Sequence, residues 1–164
     1  MIWQLKDPTL RQAIHRTVAA TDGRCALAGT VGVQVHLAAA IGLDKLAPPA
    51  RAVELVLFDA AALPPAVGAV PVVAVDALGF EASVEAARFV VDVAGERFPV
   101  ASPEHILGMA LAARELYADT RWACFVLMRV FEGRLDLEAA RGFIKRCPDP
   151  DRQSLLAELA YLAA

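Results

Sequence analysis

The segment from Cys25 to Leu43, CALAGTVGVQVHLAAAIGL, carries no Asp, Glu, Lys or Arg, and it constrains the fold more than any other stretch of the chain. Its length is close to what a membrane-spanning helix needs. Thr30, Gln34 and His36 interrupt it, however, and no cluster of basic residues follows it. We therefore expect a buried centre of a soluble domain, first a short strand that ends near Gly29 and then a helix.

The composition indicates a folded chain with one main core. Of the 164 residues, 57% are hydrophobic and 21% are charged, which excludes a disordered chain and suits one domain, alone or with a small subdomain. The net charge of −3 gives no overall attraction to nucleic acid. No basic N-terminal region precedes a cleavage site, so we expect no signal peptide and a cytoplasmic location. Cys25, Cys124 and Cys147 have no CxxC spacing, so we expect reduced, mostly buried thiols.

The N-terminal part alternates between helical and strand-like patterns. Apolar residues four apart predict a helix over residues 8–20, with Asp7 as its cap and Gly23 near its end. Further along, the patterns predict strands at 53–59 and 70–78, a connection over 63–70, a short helix over 81–88 and two strands around a turn at Ala94-Gly95.

After Ser102 the pattern becomes helical. Ser102, Pro103 and Glu104 form a typical helix start, with a capping hydroxyl, a proline and an acid in the first turn. The segments FEGRLD and CPDPD divide the remainder into shorter helices. We therefore predict an α+β fold, in which residues 1–102 form a small mixed β-sheet flanked by helices and residues 103–164 form a helical C-terminal subdomain.

Three motifs occur in an informative order. They are AGTVGVQVH (28–36), the arginine-led strand RAVELVLF (51–58), and PVASPEHILGMALAAR (99–114), which GRLDLEAARGFI follows. In this order the chain resembles nucleotidyltransferases of the abortive-infection type, a branch of the polymerase-beta-like superfamily that also occurs as one half of bacterial toxin–antitoxin pairs. The resemblance covers most of residues 25–145. It implies a nucleotidyltransferase-like fold with a nucleotide site at the strand–helix turn.

In that family a glycine-containing turn opens a helix that carries a histidine. Gly29 and Thr30 match the turn, and His36 matches the histidine. Arg51 matches an arginine that leads the next strand, and Asp76 matches an acid on a later strand. The resemblance therefore implies nucleotide contacts for Gly29, Thr30 and Arg51.

The chain departs from the family where the catalytic acids would lie. A paired D-x-D is replaced by Leu55 and Leu57, and a helical lysine is replaced by Ala110. Nucleotidyl transfer relies on magnesium ions that bridge the phosphates, and magnesium prefers carboxylate oxygens. Because strand side chains alternate, the two leucines keep the geometry of a D-x-D pair but supply no ligand oxygens. We therefore predict no cofactor, a loss of catalysis and a buried apolar strand.

Two alternatives keep a carboxylate close to these positions. A slip of one residue would put Glu54 and Val56 in place of the pair. Asp59 shares the face of the two leucines but lies farther along the strand. The competing hypothesis is therefore an active, magnesium-dependent nucleotidyltransferase that uses Glu54, Asp59 and Asp76, and convergence of these three carboxylates would distinguish the two hypotheses.

The remaining candidates have simpler interpretations. His36 is expected to bond a neighbouring carbonyl, and His105, in the first turn of a helix, is expected to be exposed. No Ser/His/Asp set is discernible. The favoured function is a binding or interaction module whose partner is another protein, a second copy or a nucleotide held without turnover, with nucleotide binding that is weak or absent. A structural dimer without a ligand is a further possibility. A core or interface stripe is predicted for Trp122, Phe125, Val126 and Val130.

Overall fold

The computed structural model of the chain describes residues 1–42, 44–59, 63–112, 118–146 and 151–164. The helices are α1 (Pro8–Ala20), α2 (Gly29–Ile41), α3 (Glu81–Ala87), α4 (Pro103–Ala112), α5 (Ala118–Val130), α6 (Leu137–Ile144) and α7 (Asp151–Ala163). The strands are β1 (Cys25–Leu27), β2 (Val53–Leu57), β3 (Ala66–Val67), β4 (Val70–Ala74), β5 (Phe89–Val93) and β6 (Glu96–Val100). The predicted α+β class is confirmed.

The strands form one mixed sheet with the order β3-β4-β2-β1-β6-β5. The short strand β1 lies near its centre, where it pairs antiparallel with β2 and parallel with β6. Leu27 accordingly lies between Leu55 on one side and Val100 on the other. Strand β4 adds parallel to β2, and β5 forms an antiparallel hairpin with β6.

Helices α1 and α2 cover the same face of the sheet. The β5–β6 register places Phe89 opposite Val100 and Val91 opposite Phe98, so Phe89 and Phe98 lie on one face. The His15 ring of α1 stacks on Phe98 with centroids 5.2 Å apart, and the His36 ring of α2 lies edge-on to Phe89 at 6.0 Å. All residues from Val31 to Leu37 are buried, which explains why this segment carries no charge.

The C-terminal helices continue the same core. Helices α4 and α5 pack against α2, and Ile106, Leu127 and Phe143 belong to the hydrophobic cluster that includes the sheet. A second cluster, between α4, α5, α6 and α7, includes Leu107 and Leu159. Apolar contacts therefore cross the predicted division between residues 102 and 103.

Two local predictions need correction. Asp7 precedes α1 but does not cap it with its side chain, because its Oδ2 accepts the backbone N–H of Gln4 at 2.7 Å. The predicted connection over 63–70 contains the short strand β3, which pairs antiparallel with β4.

The cysteines follow the prediction where the structure describes them. Cys25 and Cys124 are buried free thiols, while Cys147 lies outside the described residues. Burial raises the pKa of the Cys25 thiol, and burial together with nearby Glu158 raises the pKa of Cys124 to about 12. Within the described ranges no helix combines the length and apolar character needed to cross a membrane.

Candidate functional site

The turn between β1 and α2 has a backbone that favours glycine. Strand β1 ends at Leu27, Ala28 is extended, and α2 begins at Gly29 with a φ of +57°. A side chain in this left-handed region costs about 1–2 kcal/mol. The N–H of Ala28 donates to the carbonyl of Glu54 at 2.9 Å, which holds β2 beside the turn.

The carboxylate of Glu54 lies over the N-terminus of α2. The backbone N–H of Thr30 donates to its Oε1 at 3.1 Å. A Cβ added at Gly29 would be 2.0 Å from Oε2, so the close approach of the carboxylate also requires glycine there. The free N–H groups and the positive dipole end of a helix N-terminus attract anions. In this chain an internal carboxylate occupies that position.

The environment of Glu54 acts on its protonation in two directions. Burial raises the pKa of the carboxyl group, and the hydrogen bond from Thr30 lowers it by a smaller amount. The net result is a pKa above the ordinary value of 4.5. The helix N-terminus therefore only partly offsets the loss of water around this carboxylate.

Leu55 and Leu57 lie on the opposite face of β2 from Glu54. Leu55 is fully buried beside Leu27, as predicted. Leu57, which pairs with Cys25, is only partly buried, so the prediction that both leucines are buried is correct for the first alone. The side chain that contacts the turn is Glu54. This is the residue that takes the place of the first catalytic acid if the alignment with the family motif is shifted by one position.

The other two carboxylates of the competing hypothesis have separate local partners. Asp59 is exposed, and its Oδ2 is 3.3 Å from Nε of Arg24, whose guanidinium also pairs with Glu85. Asp76 is exposed and accepts the N–H of Leu78 at 2.8 Å, which makes it a turn residue. Among the residues described, no group of three or more His, Cys, Asp or Glu side chains is arranged to hold a metal ion.

Two residues assigned by the resemblance lie in very different surroundings. Arg51 is exposed and precedes β2. His36 is 4% exposed, and its Nε2 lies 2.7 Å from the carbonyl of Ala101. Since a carbonyl only accepts, Nε2 carries the proton and donates it. Burial lowers the pKa of His36, so the ring is a neutral core residue, in agreement with the simpler interpretation.

The prediction that His105 is exposed is wrong. The side chain is 5% exposed and bridges two hydroxyl groups. Its Nδ1 is 2.5 Å from Oγ of Ser102, and its Nε2 is 3.0 Å from Oγ of Ser83 on α3. A capping hydroxyl lies close to the third residue of its helix, so the spacing of Ser102 and His105 could have indicated their contact. The contact with Ser83 could not be predicted, because Ser83 is distant in sequence.

The Ser83–His105–Ser102 chain places a hydroxyl beside each ring nitrogen of His105. Ser102, the residue before α4, accepts the backbone N–H of His105 at 3.2 Å, so its hydroxyl caps this helix. We interpret this chain as a structural link between α3 and α4.

Helix α5 presents part of the predicted aromatic stripe to solvent. Val126 is buried, whereas Trp122 is 51% and Phe125 is 36% exposed. The two rings stack with centroids 5.6 Å apart, and the Trp122 indole N–H donates to the carbonyl of Leu46 at 2.9 Å. The predicted stripe is therefore divided: Val126 belongs to the core, and Trp122 and Phe125 lie on the surface.

Neither a protein-family model nor a curated protein matches the chain.

Proposed function

We propose that the protein is a nucleotidyltransferase-like module that has lost catalysis and acts by binding a macromolecular partner. The resemblance connects such a module with toxin–antitoxin or defence systems, in which one component binds another. In this proposal β1, the turn at Gly29 and α2 serve only to hold the fold together, and they do not bind a nucleotide for transfer.

The observation that carries the proposal is the contact between Glu54 and the N-terminus of α2. A phosphate that approached Gly29 and Thr30 would meet a carboxylate already hydrogen-bonded there. A phosphate close enough to bond these N–H groups would lie next to the carboxylate, and two negative charges in contact repel strongly in a partly desolvated site. Leu55 adds to this argument, since its fully buried side chain can donate no ligand to magnesium.

The competing proposal is an active magnesium-dependent nucleotidyltransferase that uses Glu54, Asp59 and Asp76. It requires Glu54 to leave Thr30, and Asp59 to leave Arg24, before the three carboxylates could share a metal. Each of these contacts favours the existing arrangement. The geometry therefore favours the binding module.

Exposed apolar side chains support a role in binding. Phe89 and Val90 on β5 are 48% and 53% exposed, and Trp122 and Phe125 form the aromatic surface of α5. Exposed apolar groups of this kind mark interaction surfaces when they cluster.

Calorimetric titration with ATP and magnesium tests the nucleotide part of the proposal. We expect no saturable heat from the wild-type protein at micromolar concentrations. Glu54→Gln keeps the size of the side chain but removes its charge. If weak ATP binding appears only in this variant, the Glu54 carboxylate prevents nucleotide binding by repulsion; if neither protein binds ATP, the nucleotide site itself is missing.

A micromolar isotherm for the wild-type protein would contradict the proposal. If Asp76→Ala then abolished that isotherm while Asp92→Ala left it unchanged, Asp76 would belong to a metal-dependent nucleotide site, as the competing proposal requires. Asp92 is a suitable control because it is an exposed carboxylate on β5, away from the turn.

A further inference from the structure

A small cavity lies between the N-terminal segment, α1, α2, the 3₁₀ turn Asp44–Leu46 and the β5–β6 hairpin. Its volume is about 120 Å³, whereas pockets for drug-sized ligands have about 300–1,000 Å³. The cavity therefore suits a molecule of a few non-hydrogen atoms and is too small for a nucleotide. Leu5, Ala38 and Val93 form the apolar part of its wall.

Charged side chains complete the wall of this cavity. They are two cations and two anions, Lys6, Arg11, Asp44 and Glu96. The Glu96 carboxylate has protein partners, since its Oε2 is 3.4 Å from Nε of Arg11 and its Oε1 is 3.0 Å from Nε2 of His15. Because the four charges of the wall balance, a ligand without net charge leaves the site neutral.

The Asp44 carboxylate differs from that of Glu96, because one of its oxygens has no partner. Its Oδ2 atom is buried, and no donor in the described part of the chain bonds to it. Neither Lys6 nor Arg11 forms an ion pair with Asp44, although all three face the same cavity. Water can fill the cavity and donate a proton to this oxygen, but an ammonium group compensates a desolvated carboxylate more fully because its hydrogen bonds are charge-assisted.

The two cations of the wall have donors to spare. Arg11 contacts Glu96 through Nε, and no described residue bonds the two terminal nitrogens of its guanidinium group. Lys6 is exposed and forms no ion pair with any described residue. Guanidinium and ammonium groups both bind carboxylates, and arginine can do so with two parallel hydrogen bonds. The cavity therefore offers an acceptor for an ammonium group and donors for a carboxylate.

We propose that this cavity binds a small α-amino acid. The ammonium group of the ligand pairs with Asp44, its carboxylate pairs with Arg11 and Lys6, and its short side chain lies against the apolar part of the wall. This site shares no residue with the turn at Gly29 or with the exposed apolar side chains that support macromolecular binding. Either proposal can therefore fail without the other.

Titration of the ¹⁵N-labelled full chain with L-alanine, followed by NMR, tests the proposal. We expect saturable shifts of the backbone N–H signals of Leu5, Ala38 and Val93 at millimolar ligand. Propionate lacks the ammonium group of L-alanine, and ethylamine lacks its carboxylate. Each should bind about tenfold more weakly or worse, because each loses one charge-assisted contact. Propionate that binds as tightly as L-alanine would show that Asp44 takes no part and would overturn the proposal.

Two variants test the assigned contacts. Asp44→Asn keeps the shape of the side chain and should weaken binding of L-alanine by about tenfold or more, and Lys6→Gln, at an exposed position, should also weaken it. Asp22→Asn and Lys45→Gln are the matched controls, because both residues are exposed and lie outside the cavity wall. Thermal unfolding shows whether each variant is folded, and Lys6→Gln decides the matter if Asp44→Asn is not. No saturable shift in the wild-type protein, or wild-type affinity in the folded variants at Asp44 and Lys6, overturns the proposal.

Discussion

The carboxylate of Glu54 accepts the backbone N–H of Thr30 at 3.1 Å, in a space that exists only because residue 29 is glycine. This contact ties the middle of the sheet to the start of α2. It also makes the stability of the protein depend on the protonation of one side chain.

Glu54→Gln should change how stability depends on pH. Because burial raises the pKa of Glu54 above 4.5, the native state keeps a proton that the unfolded state has lost in the window between these two values. The free energy of unfolding therefore falls as pH rises through that window. Glutamine does not titrate, so the stability of the variant relative to wild type should increase from acid to neutral pH. Urea unfolding of both proteins across this range measures the difference, and Glu132→Gln, at an exposed site, should show no such increase.

Gly29→Ala should destabilise the protein. The left-handed backbone at residue 29 costs about 1–2 kcal/mol for alanine, and the new Cβ would also displace the Glu54 carboxylate. In Gly29→Ala with Glu54→Ala the collision is absent but the backbone cost remains. Urea unfolding of the single and double variants forms a double-mutant cycle, and additive effects would show that the carboxylate does not occupy this space.

Leu55→Ala should behave as a core mutation, with a loss of roughly 2–5 kcal/mol, because the side chain is fully buried. Leu57→Ala should cost less, since Leu57 is only partly buried. Leu55→Asp with Leu57→Asp should be more destabilising than either truncation, and magnesium should not restore it. Thermal unfolding with and without magnesium tests this. If the double aspartate variant had normal stability, the face of β2 that carries residues 55 and 57 would again be a candidate metal site.

The two buried histidines should make the protein less stable in acid. Burial lowers the pKa values of His36 and His105 below 6.5, so the unfolded state binds protons that the native state does not. The free energy of unfolding should therefore fall as pH drops below about 6.5, opposite in sign to the Glu54 effect. His36→Gln keeps a donor for the Ala101 carbonyl but does not titrate, so it should lose less stability than wild type between about pH 7.5 and about pH 5.5 in chemical unfolding. Equal losses in the two proteins would contradict this assignment.

Local patterns in the sequence were sufficient to predict most of the elements. The extent of α1 follows from its periodicity, the hairpin from the turn at Ala94-Gly95, and the start of α4 from Ser102 and Pro103. All three signals act between residues close in sequence. The strand–helix turn at Gly29 could be predicted for the same reason.

The composition of the candidate site could not be predicted in this way. Whether Glu54 or Leu55 contacts the turn depends on the register of β2 against β1, which a one-residue slip reverses. The burial of His105 depends on Ser83, a residue from another helix that no local pattern connects with it. Local patterns identify the candidate residues, and long-range packing determines which of them are in contact.

The position of β1 has a consequence for synthesis of the chain. Its two neighbours in the sheet, β2 and β6, lie well apart in sequence, and Leu27 reaches Val100 only after most of the sheet has been made. On a ribosome, which builds the chain from its N-terminus at about 5–20 residues per second, the apolar strand β1 has one side without a partner for several seconds. Until β6 emerges, this central strand has an open edge through which it can pair with another chain.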